Sequence, residues 1–380
     1  MISLMLPRRV QMAIVAPVLA ASSACAGPSV PFLGTEGFVA HLDATVPALL
    51  AQHHVPGVTI AIVRAGELAW SGAYGVRDAE SQDPIRAVDL LQVASISKSV
   101  TAYAVMRLAQ DGLIDLDAPI SEYLSRWRLP ESDHDARGVT ARRLLSHTAG
   151  LSTEGYAGLP PGDPLPGLEE SLAGASGSEP MHLVQAPGTG HRYSGGGYTV
   201  LQLIVEELTG RSFADHVADT VFVPLGMADS IYDQASADGV RPHDANGDTV
   251  ATRHFTELAA AGLWSTAPDL ARFLAAGILR PDPAEGLEPG RISTLVTPAD
   301  ATDGAYALGF FVVGPDDGPP VVGHAGSNAG WRAKILAIPH HDAAIVILTN
   351  GDGGEAVHVE LGCTWIAATL ELPSVAGACP

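Results

Sequence analysis

A serine hydroxyl becomes a nucleophile once a base takes its proton, and a lysine three residues further along a helix presents its amine on the same face. Ser95-Ile96-Ser97-Lys98 has that spacing. A lysine amine buried near other positive groups loses its charge near neutral pH and can act as the base, whereas arginine stays protonated. Of the 21 basic residues only two are lysines, Lys98 and Lys334. A chain that avoids lysine therefore keeps one where this chemistry needs it. Lys334 falls in an expected strand and reads as a solvated or rim residue.

Two further segments could complete such a site. Tyr193-Ser194-Gly195-Gly196-Gly197-Tyr198 is a glycine-rich loop ahead of an amphipathic helix through Leu201, Ile204, Val205 and Leu208, and a phenol held there can shuttle a proton if nearby cations lower its pKa. The loop lacks the Gly-x-Gly-x-x-Gly and P-loop patterns of nucleotide sites. Gly323-His324-Ala325-Gly326-Ser327-Asn328-Ala329-Gly330-Trp331 lies at a strand margin, where small residues let a substrate approach the backbone and an amide N–H can meet a developing oxyanion. His324 could place positive charge beside the tyrosine. Singly, each segment is commonplace; their order carries the reading.

The order Ser-x-x-Lys, Tyr-Ser-x, His-x-Gly resembles the serine beta-lactamase-like and penicillin-binding superfamily, with class C beta-lactamases, D-aminopeptidases and family VIII esterases among its members. Leu144 to Leu151, Pro224-Leu225-Gly226-Met227 and Ala261 to Thr266 are similar to runs of that group, and the likeness spans about residues 40 to 350. The resemblance implies an acyl-enzyme mechanism. Ser95 attacks a carbonyl after yielding its proton to Lys98 or to a network shared with Tyr193, His324 assists from the strand, and the backbone amides of Ser95 and Ser327 form the oxyanion hole. No metal or organic cofactor is required. Gly195, Ala325 and Gly326 would contact substrate, with Tyr156 and Trp331 as rim candidates for which ordinary packing ranks first.

The chain departs from the family pattern at Gly195, often asparagine, and at His324 and Ala325, often lysine and threonine. These losses weaken beta-lactam turnover, since a hydrogen bond to a charged group contributes about 1.5 to 3 kcal/mol. Ester or amide substrates rank first, D-aminoacyl peptides second and beta-lactams third. A noncatalytic envelope sensor that acylates without turning over is the rival from another class. Ser146-His147 as part of a Ser-His-Asp triad fails because adjacent side chains diverge and no Gly-x-Ser-x-Gly elbow occurs. His53-His54 and His340-His341 lack an i, i+4 pair with a carboxylate for a metal.

The elements that must position these residues are legible in outline. Val58 to Val63 and Leu68 to Tyr74 read as a hairpin, Ser97 to Gln110 as a covered helix, and Leu159 to Gly167 as a Pro/Gly-rich stretch. Tyr306 to Val313, Val321 to His324, Trp331 to Ile338 and Ala343 to Leu348 read as strands, followed by a helix over Glu355 to Glu371. The expected fold is α/β (α+β), an antiparallel sheet flanked by helices and built from both chain ends (27–114 and 301–380), with an inserted mainly helical domain (115–300). Leu151 to Val184 would wall the substrate cleft.

Arg8-Arg9, the apolar run from Val10 to Ala21 and Ala24-Cys25-Ala26 fit a signal peptide over 1–26, implying a periplasmic or secreted protein. The run is shorter than the roughly 20 residues of a membrane span. Lipidation of Cys25 is the alternative, although Ser22-Ser23-Ala24 lacks the usual large apolar residue. Cys363 and Cys379 would then be an even pair in an oxidising compartment, open to a disulfide. With 42 acidic residues and a net charge of −21, the chain is unsuited to nucleic acid or anionic membrane surfaces.

Overall fold

The computed structural model describes residues 34–232, 239–314 and 318–372. The segment read as a signal peptide and Cys379 lie outside the described residues; Cys363 is buried and disulfide-bonded. The first element, α1 (Gly34–Gln52), has no counterpart in the sequence expectations. It buries Phe38, Leu42, Val46 and Leu49 as one stripe at helical spacing.

The hairpin forms as β1 (Gly57–Arg64) and β2 (Glu67–Gly75), turning at Ala65-Gly66, both with positive φ. A short β3 (Leu91–Gln92) leads into α2 (Ile96–Gln110), whose residues are nearly all buried. The long connection carries α3 (Ala141–Leu145), α4 (Leu168–Leu172), α5 (Gly195–Thr209), α6 (Phe213–Val217), α7 (Leu258–Ala261), β4 (Trp264–Ser265), α8 (Ala267–Arg272) and α9 (Pro289–Val296). The chain then returns to the sheet through β5 (Phe311–Val313), β6 (Val321–Asn328), β7 (Trp331–Ile338) and β8 (Ala343–Thr349), and α10 (Gly354–Thr369) follows.

Among the described residues, six strands form an antiparallel sheet in the order β2-β1-β8-β7-β6-β5, and β3 pairs with β4. The pairing of β1 with β8, Thr59 opposite Leu348, joins the two ends of the chain as expected. Every residue of β8 is buried, so the strand reads as a continuous apolar run covered on both faces. Alternation divides it: Ile345 and Ile347 pack with α1 and α10, while Ala344, Val346 and Leu348 join the core built around α2 and α5.

Two expectations are corrected. The strand expected over Tyr306 to Val313 shortens to β5, because Gly309 takes a positive φ and the chain folds back with Ala307 N–H bonded to Phe310 C=O. The glycine-rich loop after Tyr193 is the first turn of α5, capped by the Ser194 Oγ, which accepts from Gly197 N–H. β5 pairs with β6 only through Val321, Val322 and Gly323, so among the described residues no strand covers the far edge of β6 from His324 to Asn328. Among the described residues no helix is long and apolar enough to cross a membrane.

Candidate active site

Ser95 stands at the N-cap position of α2, without a capping hydrogen bond from its side chain, at the end of a turn held from several sides. Ala94 has φ +47, an uncommon left-handed conformation for a residue with a side chain, which swings the chain from β3 into the helix. The Ser97 hydroxyl donates to Ala94 C=O at 2.6 Å and accepts from Leu263 N–H at 3.1 Å, fixing this turn to the neighbouring segment. Lys98, one helical turn on, places Nζ 3.0 Å from the Ser95 Oγ and donates to Ala260 C=O at 2.8 Å. Ser95 is partly exposed, whereas Lys98 is only 2% exposed.

Burial sets the charges. Desolvation lowers the Lys98 pKa to about 7; no neighbouring cation is needed, contrary to the sequence-based account. The Tyr193 phenol moves the other way: burial raises its pKa, Glu154 adds to the rise and Ser95 opposes it. Tyr193 therefore stays protonated at neutral pH rather than ionising. Lys98 Nζ sits 5.1 Å from the centre of its ring.

His324 is corrected in the same way. It is 2% exposed, and burial followed by the Lys98 charge lowers its pKa to about 3, so it brings no positive charge to the site. A carbonyl can only accept, so the 2.7 Å contact with Ala325 C=O puts the proton on Nδ1. Nε2 is then the acceptor for the Tyr306 hydroxyl at 3.1 Å. His324 is thus a neutral link between Tyr306 and β6, with its ring 6.3 Å from that of Tyr193.

His147, set aside at the sequence level, lies against Tyr193 with ring centres 4.1 Å apart. Its Nδ1 accepts from Ser194 N–H at 3.1 Å, and burial holds its pKa well below the ordinary value. It orients Tyr193 from behind and does not reach Ser95 through any hydrogen bond. A positive φ at His147 is the local cause of that placement, and nothing in the Ser146-His147 pattern alone discloses it.

A cavity of about 510 Å³ opens in front of Ser95, with Lys98, Tyr193, Gly195, Glu154, Tyr156 and Ser327 on its walls. The wall expected from Leu151 onward is therefore present at Glu154–Ala157. Tyr156 borders the cavity while its hydroxyl is engaged with Thr199 Oγ1 at 2.8 Å. At Gly195 an added Cβ would lie 2.9 Å from Glu154 C=O, so the space for a larger residue is filled by this loop. Ala325 and Ser327 face outward on β6, and Gly326 lets the strand close on the nucleophile's turn: a Cβ there would lie 2.2 Å from Val93 C=O. Trp331 is corrected from rim to core. It is fully buried, edge-on to Trp264 at 5.5 Å. Asn328, not singled out from sequence, ties β6 to Gln92 Oε1 at 2.8 Å. Among the described residues no cluster of three His, Cys, Asp or Glu side chains is arranged for a metal ion.

The chain is similar to known proteins in sequence and in fold. A family model described as Beta-lactamase matches residues 42–362. Esterase EstB of Burkholderia gladioli is 32% identical over 250 residues, 62% of this chain and 63% of that protein. The chain thus spans less than two thirds of the esterase's length. Penicillin-binding protein 4 of Amycolatopsis lactamdurans is 28% identical over 82% of this chain and 85% of its own. Among solved structures, the octameric penicillin-binding protein homologue from Pyrococcus abyssi superposes with a TM-score of 0.71 at 25% identity, covering 85% of this chain and 77% of the other. The D-amino acid amidase from Ochrobactrum anthropi SV3 gives 0.68 at 21% identity over 86% and 99%, a likeness of fold.

Proposed function

This chain belongs to the Beta-lactamase family, and on that footing we propose that it is an exported serine hydrolase acting through an acyl-enzyme on ester or amide bonds. D-Aminoacyl peptides rank second and beta-lactams third, because Gly195, His324 and Ala325 stand where polar contacts to a beta-lactam would be made. The observation that carries the reading is the 3.0 Å approach of a buried lysine, its pKa near 7, to a partly exposed serine. Export rests on the signal-like segment over 1–26.

Neutral Lys98 takes the proton from the Ser95 Oγ as the oxygen bonds to the substrate carbonyl carbon. Negative charge builds on the carbonyl oxygen, which the N–H groups of Ser95 and Ser327 receive. Protonated Tyr193 gives its proton to the departing oxygen or nitrogen as the carbonyl bond to it breaks, and the Lys98 ammonium restores the phenol. Water then attacks the acyl-enzyme by the reverse proton path, releasing the acid and regenerating Ser95.

A fluorophosphonate probe should label Ser95 and not a Ser95→Ala variant, and short p-nitrophenyl esters should turn over many times per protein molecule. Labelling at full rate in Ser95→Ala overturns the assignment, and a single stoichiometric burst favours the sensor. Nitrocefin and D-alanyl anilides on the same preparation order the substrate classes.

A further inference from the structure

A second cavity, of about 750 Å³, opens between the segment that carries His147 and helix α9. Arg143, Ser146 and Thr148 line it from the first; Ser293, Thr297 and Asp300 line it from the helix and the turn beyond. Among the described residues it has no lining residue in common with the cavity in front of Ser95. Its size suits a small organic molecule rather than a bare ion. Hydroxyls and charges dominate the lining and no aromatic ring contributes, so the occupant must be polar.

Three arginines reach this cavity in a chain of net charge −21, and they are not equivalent. Arg142 is bound by Asp117, from Nε at 2.7 Å and Nη2 at 2.8 Å, and Arg137 by Asp135 at 3.0 and 2.8 Å. Arg143 donates from Nη1 to Gly138 C=O at 2.7 Å, and among the described residues no carboxylate pairs with it and its Nε and Nη2 have no protein acceptor. Two glycines seat it. A Cβ at Gly188, where φ is +82, would lie 2.8 Å from Nη2, and one at Gly138 would lie 3.1 Å from Nη1. A guanidinium held against backbone on two sides, with donors to spare, matches the oxygens of a phosphate or carboxylate.

The other polar groups have the opposite sense. The Ser146 hydroxyl donates to Arg142 C=O at 2.9 Å, so at its 2.9 Å contact with Thr148 it accepts, which leaves Thr148 Oγ1 only lone pairs to offer. Asp300 is exposed and has no bonded cation among the described residues. We propose that this cavity binds a hydroxylated organic anion, a sugar bearing a phosphate or a carboxylate, with Arg143 receiving the anionic group and Thr148 and Asp300 accepting from hydroxyls. No group of the proposed catalytic centre lines the cavity, so the proposal stands apart from the hydrolase reading.

Isothermal titration calorimetry of the full chain at fixed ionic strength tests it, with glucose 6-phosphate and glucuronate as ligands and glucose and inorganic phosphate as their separate parts. At least one sugar anion should bind with a Kd of about a millimolar or below, at least about tenfold tighter than glucose or phosphate, and the tighter of the two tells phosphate from carboxylate. Arg143→Gln should weaken it about tenfold or more and Arg143→Lys less. Ser293→Glu, at an exposed position of α9, leaves Arg143 in place and should also weaken it by setting a carboxylate in the cavity, so the outcome does not hang on one variant folding. Ser95→Ala should bind as the wild type does. Failure of both sugar anions to bind the wild type at about 10 mM, or affinity unchanged in both Arg143→Gln and Ser293→Glu, overturns the proposal. So does glucose or phosphate binding as tightly as the sugar anions, or loss of binding in Ser95→Ala.

Discussion

Replacing Lys98 by methionine should abolish acylation and yet make the protein more stable. The lysine amine is 2% exposed and its pKa falls from the ordinary 10.5 to about 7, which corresponds to a charging cost of about 5 kcal/mol in the folded state. Between pH 7 and 10.5 the unfolded chain holds a proton on Lys98 that the folded chain has released. Wild-type stability therefore rises with pH across that window by ~1.4 kcal/mol per pH unit from this residue, and below pH 7 the full cost is present. Methionine has similar length and no charge, and its main loss is the bond to Ala260 C=O, about 1 to 2 kcal/mol. The net gain at about pH 6 is then roughly 3 to 4 kcal/mol, shrinking and reversing as the pH approaches 10. Urea denaturation of both proteins at about pH 6, 8 and 10 measures it. A variant less stable than wild type at pH 6, or a difference that does not change with pH, would refute the account of Lys98 as a neutral base maintained by burial.

Three further outcomes follow from the site's geometry. The acid limb of kcat/KM should have its midpoint near pH 7, set by Lys98, with no second limb near 6.5, because burial keeps His324 and His147 neutral; a His324→Gln variant whose acid limb vanishes would contradict this. Gly326→Ala should leave a folded protein with kcat/KM about a hundredfold lower, since its Cβ meets backbone, Val93 C=O at 2.2 Å, and pushes β6 from the nucleophile. Gly196→Ala should do less harm although its Cβ falls 1.7 Å from Met181 Cε, because that side-chain end can rotate away. Thermal melts and probe-labelling rates distinguish the two.

What the sequence disclosed is what depends on short-range spacing. Ser95 and Lys98 share one helical turn, the strand runs 331–338 and 343–348 carry their own alternation and apolar character, and both were readable at once. What it withheld arises where distant segments meet. The direction of the Tyr193 shift depends on burial by several elements, whereas the sequence reading looked to nearby cations to lower it. Trp331 reads as either rim or core until Trp264, 67 positions earlier, is seen against it. His147 sits in a run whose family likeness discloses no role for it, and it gains its place from a positive φ and the Ser194 amide. Helix α1 went unread because its apolar stripe interrupts a segment next to the signal-like start.

Ser95 and Ser327 are brought together by a sheet whose β1 and β8 strands pair across most of the chain. During synthesis the nucleophile, its base and the tyrosine all emerge before the strand that supplies the second amide, and nothing nearer in sequence can stand in for it. The proposed hydrolytic centre therefore comes into being late, when the last strands close against the first. A nascent or C-terminally clipped chain would be chemically silent, and activity itself would report that the two ends have met.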